Sequence, residues 1–402
     1  MEWKEVRLGD VCSIQRGASP RPIQKFISKV GMPWVKIADA TGISSRYISS
    51  TSEYIIKEGV SKSRIVYPGD LIVSNSATPG LPKFMAIEAC VHDGWLIIRD
   101  FDGIDKVFLY YVFLNIRRRL SNQANGSVFM NLKTDIVKDF VIKLPTLDAQ
   151  RRIASILSSL DRKIELNNKI NADLEEMAQA IFKNWFVDFE PFKDGKFVDS
   201  ELGMIPEGWK VGRLDEIADV VGGSTPSKAK PEYYTLKGIA WLTPKDLSNH
   251  PAVYSSRGEI DITQEGYNST STKLMPKGTV LFTSRAPIGY ISIAQNDICT
   301  NQGFKSVVPK KAGTSFLYCF LKYVTPEIEN KSTGSTFKEA SGALMKSLQV
   351  IMPEQKVFEE FEAIVSPLFT RIESLEKESS RLSLLRDTLL PRLMSGELEV
   401  PE

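Results

Sequence analysis

The clearest pattern along the chain is an apolar residue at every seventh position of two long segments. The repeating positions are Ile153, Leu160, Asn167, Leu174 and Ile181 in the first segment, and Phe361, Leu368, Leu375, Leu382 and Leu389 in the second. A seven-residue repeat sustained over four cycles is typical of coiled-coil packing. An ordinary amphipathic helix would drift from that period by about 20° per heptad. The pattern therefore predicts two long helices whose repeating residues form a packing interface.

We call the interface formed by these repeating positions the seam. Further apolar residues recur three positions after some of its members. They are Ile156, Ile170, Met177, Ile364 and Leu385, and we expect them to complete the interface. Asn167 is the one polar residue among the ten repeating positions. Two interpretations of it stay open, because a seam asparagine can fix the register of a coiled coil or mark where a helix turns toward a partner.

Each helical segment follows about 140 residues with a different pattern. Short β-type runs such as DLIVSN (70–75) and TVLFTS (279–284) alternate with Gly, Pro and Ser, and one apolar helix is indicated at 108–114 and again at 316–321. This combination is typical of a mixed α/β domain. Pro145 and Pro353 precede the long helices, where the first turn tolerates proline.

The second half of the chain restates the first at an offset of 206 to 209 residues. Residues 69–80 (GDLIVSNSATPG) align with 278–289 (GTVLFTSRAPIG), and Gly94-Trp95 aligns with Gly303-Phe304. The duplication predicts two similar mixed α/β domains, 1–144 and 207–352. It also predicts two long helices, 145–190 and 353–402, with a linker at 191–206. A pseudo-two-fold relation would set the helices antiparallel.

Charge separates along these boundaries. Residues 1–144 hold 20 Lys and Arg against 14 Asp and Glu, and residues 207–352 hold 17 against 13. Residues 145–206 hold 8 against 11, and residues 353–402 hold 6 against 11. Basic domains joined by acidic helices favour a protein that offers its domains to DNA and its helices to protein partners.

The sequence carries no motif for chemistry of its own. It has no G-x-G-x-x-G, no P-loop and no Asn/Asp-Pro-Pro-aromatic tetrapeptide, and it has only two histidines and four cysteines without a C-x-x-C pair. We therefore expect no catalytic residue, no metal site and no bound cofactor. No apolar run reaches the roughly 20 residues of a membrane span, the N-terminus does not resemble a signal peptide, and a cytoplasmic location is expected.

Base-reading residues are expected among polar side chains in the turns of the basic domains. Arg and Lys suit guanine, Asn and Gln suit adenine, and Ser or Thr suit either. These rules select Thr243, Lys245, Ser284, Arg285, Asn301, Gln302 and Lys305 in the second domain, and Lys36, Ser74, Asn75, Lys83, His92 and Asp93 in the first. The alternative is that each is a polar residue capping a strand. Phosphate contacts are expected at Arg16, Arg21, Arg46, Lys228 and Lys230.

Several sequence segments resemble those of the specificity subunits of type I restriction–modification systems. They are residues 180–191 (AIFKNWFVDFEP), 199–210 (DSELGMIPEGWK) and 278–293 (GTVLFTSRAPIGYISI), together with the Pro-then-Gln helix entries at Pro145 with Gln150 and Pro353 with Gln355. The first domain differs from the family pattern at His92-Asp93, where the second has Asn301-Gln302.

The resemblance implies a non-catalytic DNA-recognition subunit in which each domain reads half of a bipartite, gapped target. It also implies that the helices pack antiparallel and dock two methyltransferase subunits, which motor–nuclease subunits can join. S-adenosylmethionine, ATP and magnesium would then be bound by those partners and not by this chain.

Two alternatives remain at this point. One is a stand-alone two-headed DNA-binding or scaffold protein without enzyme partners. The other is a self-sufficient methyltransferase, against which the missing cofactor motifs speak.

Overall fold

The chain forms two compact units in the computed structural model. The structure describes residues 3–43, 45–123, 132–285, 287–333 and 338–400. The first unit comprises Met1–Glu165 with Ser380–Glu402, and the second comprises Leu166–Ser379. Each unit therefore contains one copy of the duplicated domain together with parts of both long helices.

The first unit is a mixed α/β domain. Its strands are β1 Lys4–Arg7, β2 Ser13–Arg16, β3 Ile27–Ser28, β4 Met32–Val35, β5 Tyr47–Ile48, β6 Glu53–Ile55, β7 Arg64–Val66, β8 Leu71–Ser74, β9 Pro82–Met85, β10 Ala89–Val91, β11 Trp95–Arg99 and β12 Val141–Leu144. Its helices are α1 Leu8–Val11, α2 Ile37–Thr41, α3 Lys57–Val60, α4 Lys106–Gln123, α5 Thr134–Lys138 and the start of α6 Leu147–Phe186.

Two five-stranded sheets organise this unit, in the orders β2-β11-β8-β9-β5 and β3-β6-β4-β10-β7, and β1 pairs with β12. The β5–β9 and β4–β10 pairs are parallel and the others are antiparallel, so both large sheets are mixed. One core lies between the two sheets around Trp95 and Ile72. A second core buries α4 against the β2–β11 sheet and against the two long helices.

The second unit repeats this plan. Its strands are β13 Phe197–Val198, β14 Ile205–Pro206, β15 Lys210–Arg213, β16 Ala218–Gly222, β17 Tyr234–Thr235, β18 Trp241–Leu242, β19 Tyr254–Ser255, β20 Asp261–Ile262, β21 Val280–Ser284, β22 Ile288–Ala294, β23 Cys299–Thr300, β24 Lys305–Pro309 and β25 Gln349–Met352. Its helices are α7 Leu214–Ile217, α8 Pro244–Asn249, α9 Gln264–Asn268, α10 Thr314–Lys331, α11 Gly342–Lys346 and most of α12 Gln355–Ser395. Short 3-10 turns occur at Ile23–Lys25, Glu190–Phe192 and Pro231–Tyr233.

The main sheet of the second unit has the order β16-β24-β21-β22-β19. These strands correspond one for one to β2-β11-β8-β9-β5, including the parallel pair at the edge. Smaller pairs are β13–β14, β15–β25, β17–β20 and β18–β23. The duplication seen in the sequence is therefore a duplication of topology.

The core of each unit is completed by the end of a long helix that starts elsewhere. In the first unit, Leu390 and Leu393 of α12 pack with α4 and with Ile153 of α6. In the second, Phe182 and Phe186 of α6 pack with α10 and α12. Phe186 lies 5.1 Å from Phe361 between ring centroids, at an interplanar angle of 73°. The edge-to-face aromatic packing makes this a well-defined contact.

Within each unit the long helices run antiparallel. In the second unit, Asn167 contacts Ser379 and Phe186 contacts Phe358. Residue numbers therefore increase along α6 in the direction in which they decrease along α12. In the first, Asp161 meets Arg386. The two α/β domains and the antiparallel helix pair predicted from the sequence are thus present.

All ten repeating positions are buried or half-buried, from Ile153 to Leu389. The companion prediction, by contrast, is wrong for Ile156, Met177, Ile364 and Leu385, which are exposed. The second seam position lies four residues after the first and not three, at Leu157, Ile164, Asn171, Ala178 and Trp185 in α6 and at Val365, Ile372, Ser379, Arg386 and Leu393 in α12. Both spacings occur in a heptad, so the period alone does not say on which side the companion falls.

All four cysteines are buried and free. None of the helices in the described ranges is long and apolar enough to cross a membrane. Within the same ranges, no group of three or more His, Cys, Asp or Glu side chains is arranged to hold a metal ion.

Candidate nucleic-acid interface

The turn after β21 in the second domain is closed by buried hydroxyls. Thr283 Oγ1 accepts from Tyr290 N at 2.8 Å and donates to Pro287 O at 2.8 Å. Ser284 is fully buried, and its Oγ donates to Gly303 O at 3.2 Å. Ser284 therefore joins β21 to the start of β24 and is not available to DNA, which corrects its selection as a base reader.

The first domain builds the same turn from different residues. Ser74 takes the place of Thr283, because its Oγ donates to Thr78 O and accepts from Leu81 N at 2.9 Å. Asn75 takes the place of Ser284, with Nδ2 donating to Asp93 O at 3.1 Å. Both side chains are buried. The capping alternative therefore accounts for Ser74 and Asn75, and their selection as base readers is corrected.

Lys83 is also buried, and its ammonium donates to the carbonyls of Ile43 and Ser45. The pKa of Lys83 is lowered to about 8, chiefly by burial and in smaller part by the nearby Arg117. A side chain held this way cannot reach a base edge, so Lys83 leaves the set of base readers. Arg46 leaves the set of phosphate contacts for a similar reason, because it is buried against Glu165 at 2.9 Å.

His92 and Asn301 do the same structural job in the two domains. Gly94 N donates to His92 Nδ1 at 2.6 Å, and Gly303 N donates to Asn301 Oδ1 at 2.8 Å. Because Nδ1 accepts, neutral His92 carries its proton on Nε2. Burial lowers the pKa of His92 and thus favours this neutral form. Histidine at position 92, where the family pattern differs, therefore preserves the hydrogen bond that closes the turn. It changes the polar group that the side chain presents to its surroundings.

Lys36 and Thr243 also occupy matching places, directly before α2 and α8. Asp39 accepts from Lys36 N at 2.8 Å, and Asp246 accepts from Thr243 N at 2.7 Å. The Lys36 ammonium pairs with Glu53 at 2.7 Å, while Thr243 Oγ1 donates to Asp246 at 2.6 Å. Lys36 keeps a half-exposed charge that can be presented to DNA, whereas the Thr243 hydroxyl is committed to its helix cap.

Two of the predicted base-reading cations of the second domain share one carboxylate. Arg285 Nη1 lies 3.5 Å from Glu339 Oε2, and Lys305 Nζ lies 3.4 Å from Glu339 Oε1. Gln302 is exposed and accepts from the hydroxyl of Thr225. Lys245 is exposed at a separate cleft of about 500 Å³ and pairs with Glu259 at 3.8 Å. Arg285, Lys305 and Glu339 thus form one polar cluster, whereas Gln302 and Lys245 have other partners.

In the first domain the candidates line a cleft of about 860 Å³. Lys36, His92 and Asp93 contribute to its wall, together with Arg21 and Trp34. Asp93 lies 3.3 Å from Arg21 and 3.7 Å from Arg16, so its carboxylate is paired with two cations at this cleft. Its pKa is lowered: burial raises it, but the Ser19 hydroxyl and Arg16 outweigh burial.

Glu339 is the residue that reasoning from the sequence missed. The selection rules favour cations and amides for base contacts, and nothing in the local sequence distinguishes Glu339 from other surface carboxylates. Only the fold brings it from the segment before α11 to the ends of β21 and β24.

The fold and these surfaces define a duplicated α/β protein with one polar, cation-bearing cluster in each copy. Comparison with known proteins identifies the class. The family model for the type I restriction modification DNA specificity domain matches residues 1–176 and 206–383. The chain therefore belongs to the type I restriction modification DNA specificity family, and its role is recognition and not catalysis.

Relatives match along the full chain. The type I restriction enzyme MjaIX specificity subunit of Methanocaldococcus jannaschii is 28% identical, covering 100% of this chain and 94% of the relative. The HindI specificity subunit of Haemophilus influenzae is 23% identical, covering 99% and 100%. The S subunit structure from M. genitalium has a TM-score of 0.59 at 17% identity, covering 98% of this chain and 96% of that chain, which shows a shared fold.

Proposed function

We propose that each domain of this specificity subunit reads one half of a bipartite, gapped DNA sequence. The observation that carries the proposal is that the same turn, between equivalent strands of the two sheets, presents different side chains. His92 and Asp93 stand where the second domain has Asn301 and Gln302, on matching backbone hydrogen bonds. A shared backbone that carries different polar side chains is suited to recognising two half-sites of different base sequence.

The long helices are proposed to dock protein partners. Apolar side chains that do not enter the seam are exposed on them, including Ile156 and Met177 on α6 and Ile364, Leu384 and Leu385 on α12. Exposed apolar positions beside a packed seam suit further helix packing. We assign these faces to two methyltransferase subunits, which motor–nuclease subunits can join. S-adenosylmethionine, ATP and magnesium would be bound by those partners, and the assembly would act in the cytoplasm.

Selection from a random-sequence duplex pool tests the reading of DNA by the full-length chain. We expect enrichment of a sequence with two specified parts and an unread gap between them. Failure to retain any duplex, or enrichment of a single contiguous sequence, would contradict the proposal. Isothermal calorimetry should show no binding of S-adenosylmethionine to the isolated chain. Measurable binding would contradict the assignment of this cofactor to the partners.

A further inference from the structure

Two predicted base readers of the second domain share a single carboxylate as their counter-ion. Glu339 places one oxygen 3.5 Å from Arg285 and the other 3.4 Å from Lys305. The side chains of Arg285 and Lys305 are 36% and 17% exposed, and that of Glu339 is 39% exposed. The cluster is sheltered enough to be screened less than a surface pair, yet open enough for DNA to reach.

The backbone holds Glu339 in place beside these cations. Its N–H donates to Thr333 O at 2.9 Å, and the next residue, Ala340, donates from N to Ser284 O at 2.9 Å. Ser284 directly precedes Arg285 in the chain. The backbone of Glu339 is therefore tied to the strand end that carries Arg285, which keeps its carboxylate within reach of that guanidinium.

The first domain reaches the same arrangement by a different route. Asp93 lies near Arg16 and Arg21, and its other oxygen accepts from Ser19 Oγ at 2.6 Å. In the repeat, Asp93 corresponds to Gln302 and not to Glu339. One carboxylate with two cations thus occurs in both domains at non-equivalent positions, so common descent of that residue does not explain it.

We infer that Glu339 restrains Arg285 and Lys305 and thereby determines specificity, by suppressing their contacts with the phosphates of non-target DNA. The inference rests on the proposed function, namely that this cluster faces DNA. Non-specific affinity comes from cations that neutralise phosphates and release counter-ions. A cation already neutralised by a fixed carboxylate contributes little to that term. A correctly placed base edge offers directed acceptors and can replace the carboxylate, so target DNA loses less affinity than non-target DNA.

Glu339→Gln tests this inference because it removes the charge and keeps the shape. Binding of the full-length variant to a random-sequence 30-base-pair duplex pool is measured by fluorescence anisotropy at several salt concentrations. We expect about three- to tenfold tighter binding at low salt, with a log–log salt slope steeper by about 0.9 for each cation freed. Asp93→Asn should act likewise through Arg16 and Arg21, and the thermal midpoint of each variant verifies folding.

Two controls separate the cluster from bulk charge. Glu265→Gln makes the same change in net charge at an exposed position of α9 and should leave the slope within about 0.3 of the wild type. In the Arg285→Ala/Lys305→Ala background, Glu339→Gln should have no further effect, because no cation remains to be freed.

Each result has a distinct meaning. Wild-type chain that retains no duplex contradicts the proposed function itself. Wild-type binding with an unchanged slope in Glu339→Gln overturns the inference alone, whatever Asp93→Asn does. An equal gain in Glu265→Gln also overturns it, because the effect would then be one of net charge.

Discussion

Arg386 of α12 donates from Nη1 to Asp161 Oδ1 of α6 at 2.7 Å, and the carboxylate is almost fully buried. The other oxygen of Asp161, Oδ2, accepts from the hydroxyl of Tyr111 on α4 at 2.5 Å. Burial raises the pKa of Tyr111, and the neighbouring Asp161 raises it further, so the phenol remains a donor. Three helices of the first unit therefore meet at one carboxylate.

Replacing this carboxylate should destabilise the first unit. Asp161→Ala leaves Arg386 and Tyr111 without their shared acceptor, and loss of one partner of a buried pair costs about 3 to 5 kcal/mol. Urea unfolding should therefore show a lower free energy of unfolding for Asp161→Ala. Asp173→Ala, at an exposed position of the same helix, should change it by less than about 0.5 kcal/mol. Equal losses in the two variants would show that Asp161 has no special role.

Asn167 is the one polar residue among the ten repeating positions, and it is fully buried. Its Nδ2 donates to Glu378 Oε2 at 3.0 Å and to Ser379 Oγ at 3.2 Å, both on α12. These hydrogen bonds can form in only one register of the two helices. They therefore favour the interpretation that Asn167 fixes the register of the coiled coil. Because Asn167→Asp replaces a donor by a carboxylate beside Glu378, it should lower the free energy of unfolding by about 1 to 3 kcal/mol.

A second substitution checks the cause of that loss. Glu378→Gln in the Asn167→Asp background should recover part of the stability, since an amide can donate to the new carboxylate. Thermal unfolding of the single and double variants measures the recovery. A double variant less stable than Asn167→Asp would contradict the assigned hydrogen bond.

The main architecture could be predicted from the sequence because its signals are repetitive. Heptad spacing identified the long helices at Ile153 and Phe361, and colinear matches identified two domains. The companion seam residues could not be placed, since Ile156 and Leu157 are both apolar neighbours and only packing decides which is buried. The polar turns were harder still. Ser74 closes a turn from inside the fold, whereas Gln302 is exposed, and residue type alone does not separate these roles.

Glu376 gives the second unit a dependence on pH. Its two oxygens accept from Val253 N at 2.7 Å and Tyr254 N at 3.0 Å, which holds the start of β19. The pKa of Glu376 is raised to about 7, because burial outweighs the opposing effect of these two donors. The folded state therefore binds more protons than the unfolded state between about pH 4.5 and 7, and stability falls as the pH rises through this window.

Glu376→Gln should remove this dependence. From pH 5 to pH 8 the wild type should lose about 1 to 3 kcal/mol more than the variant in its free energy of unfolding. Urea titrations at both pH values measure the difference. Glu360→Gln, on the exposed side of α12, should behave like the wild type. Parallel pH profiles of the wild type and Glu376→Gln would refute the raised pKa.

Arg285 and Gln302 should act on one half of the target only. Arg285→Ala and Gln302→Ala are each expected to weaken binding by about 1 to 3 kcal/mol through a lost base contact. Binding of each variant is measured on duplexes altered in one half-site at a time. A matched variant in the first domain, Lys36→Ala, should respond to the other half-site. An equal response to both half-sites, or no change at all, would remove these residues from the interface.

Mapping methylated bases across the chromosome of cells that carry or lack this chain tests the central claim most directly. If the two domains read separate half-sites for methyltransferase partners, methylation should occur at a two-part sequence with an unread gap. It should disappear when the chain is deleted, and only one half of the sequence should change in the Gln302→Ala variant. Methylation at a contiguous sequence, or methylation that persists without the chain, would contradict the account.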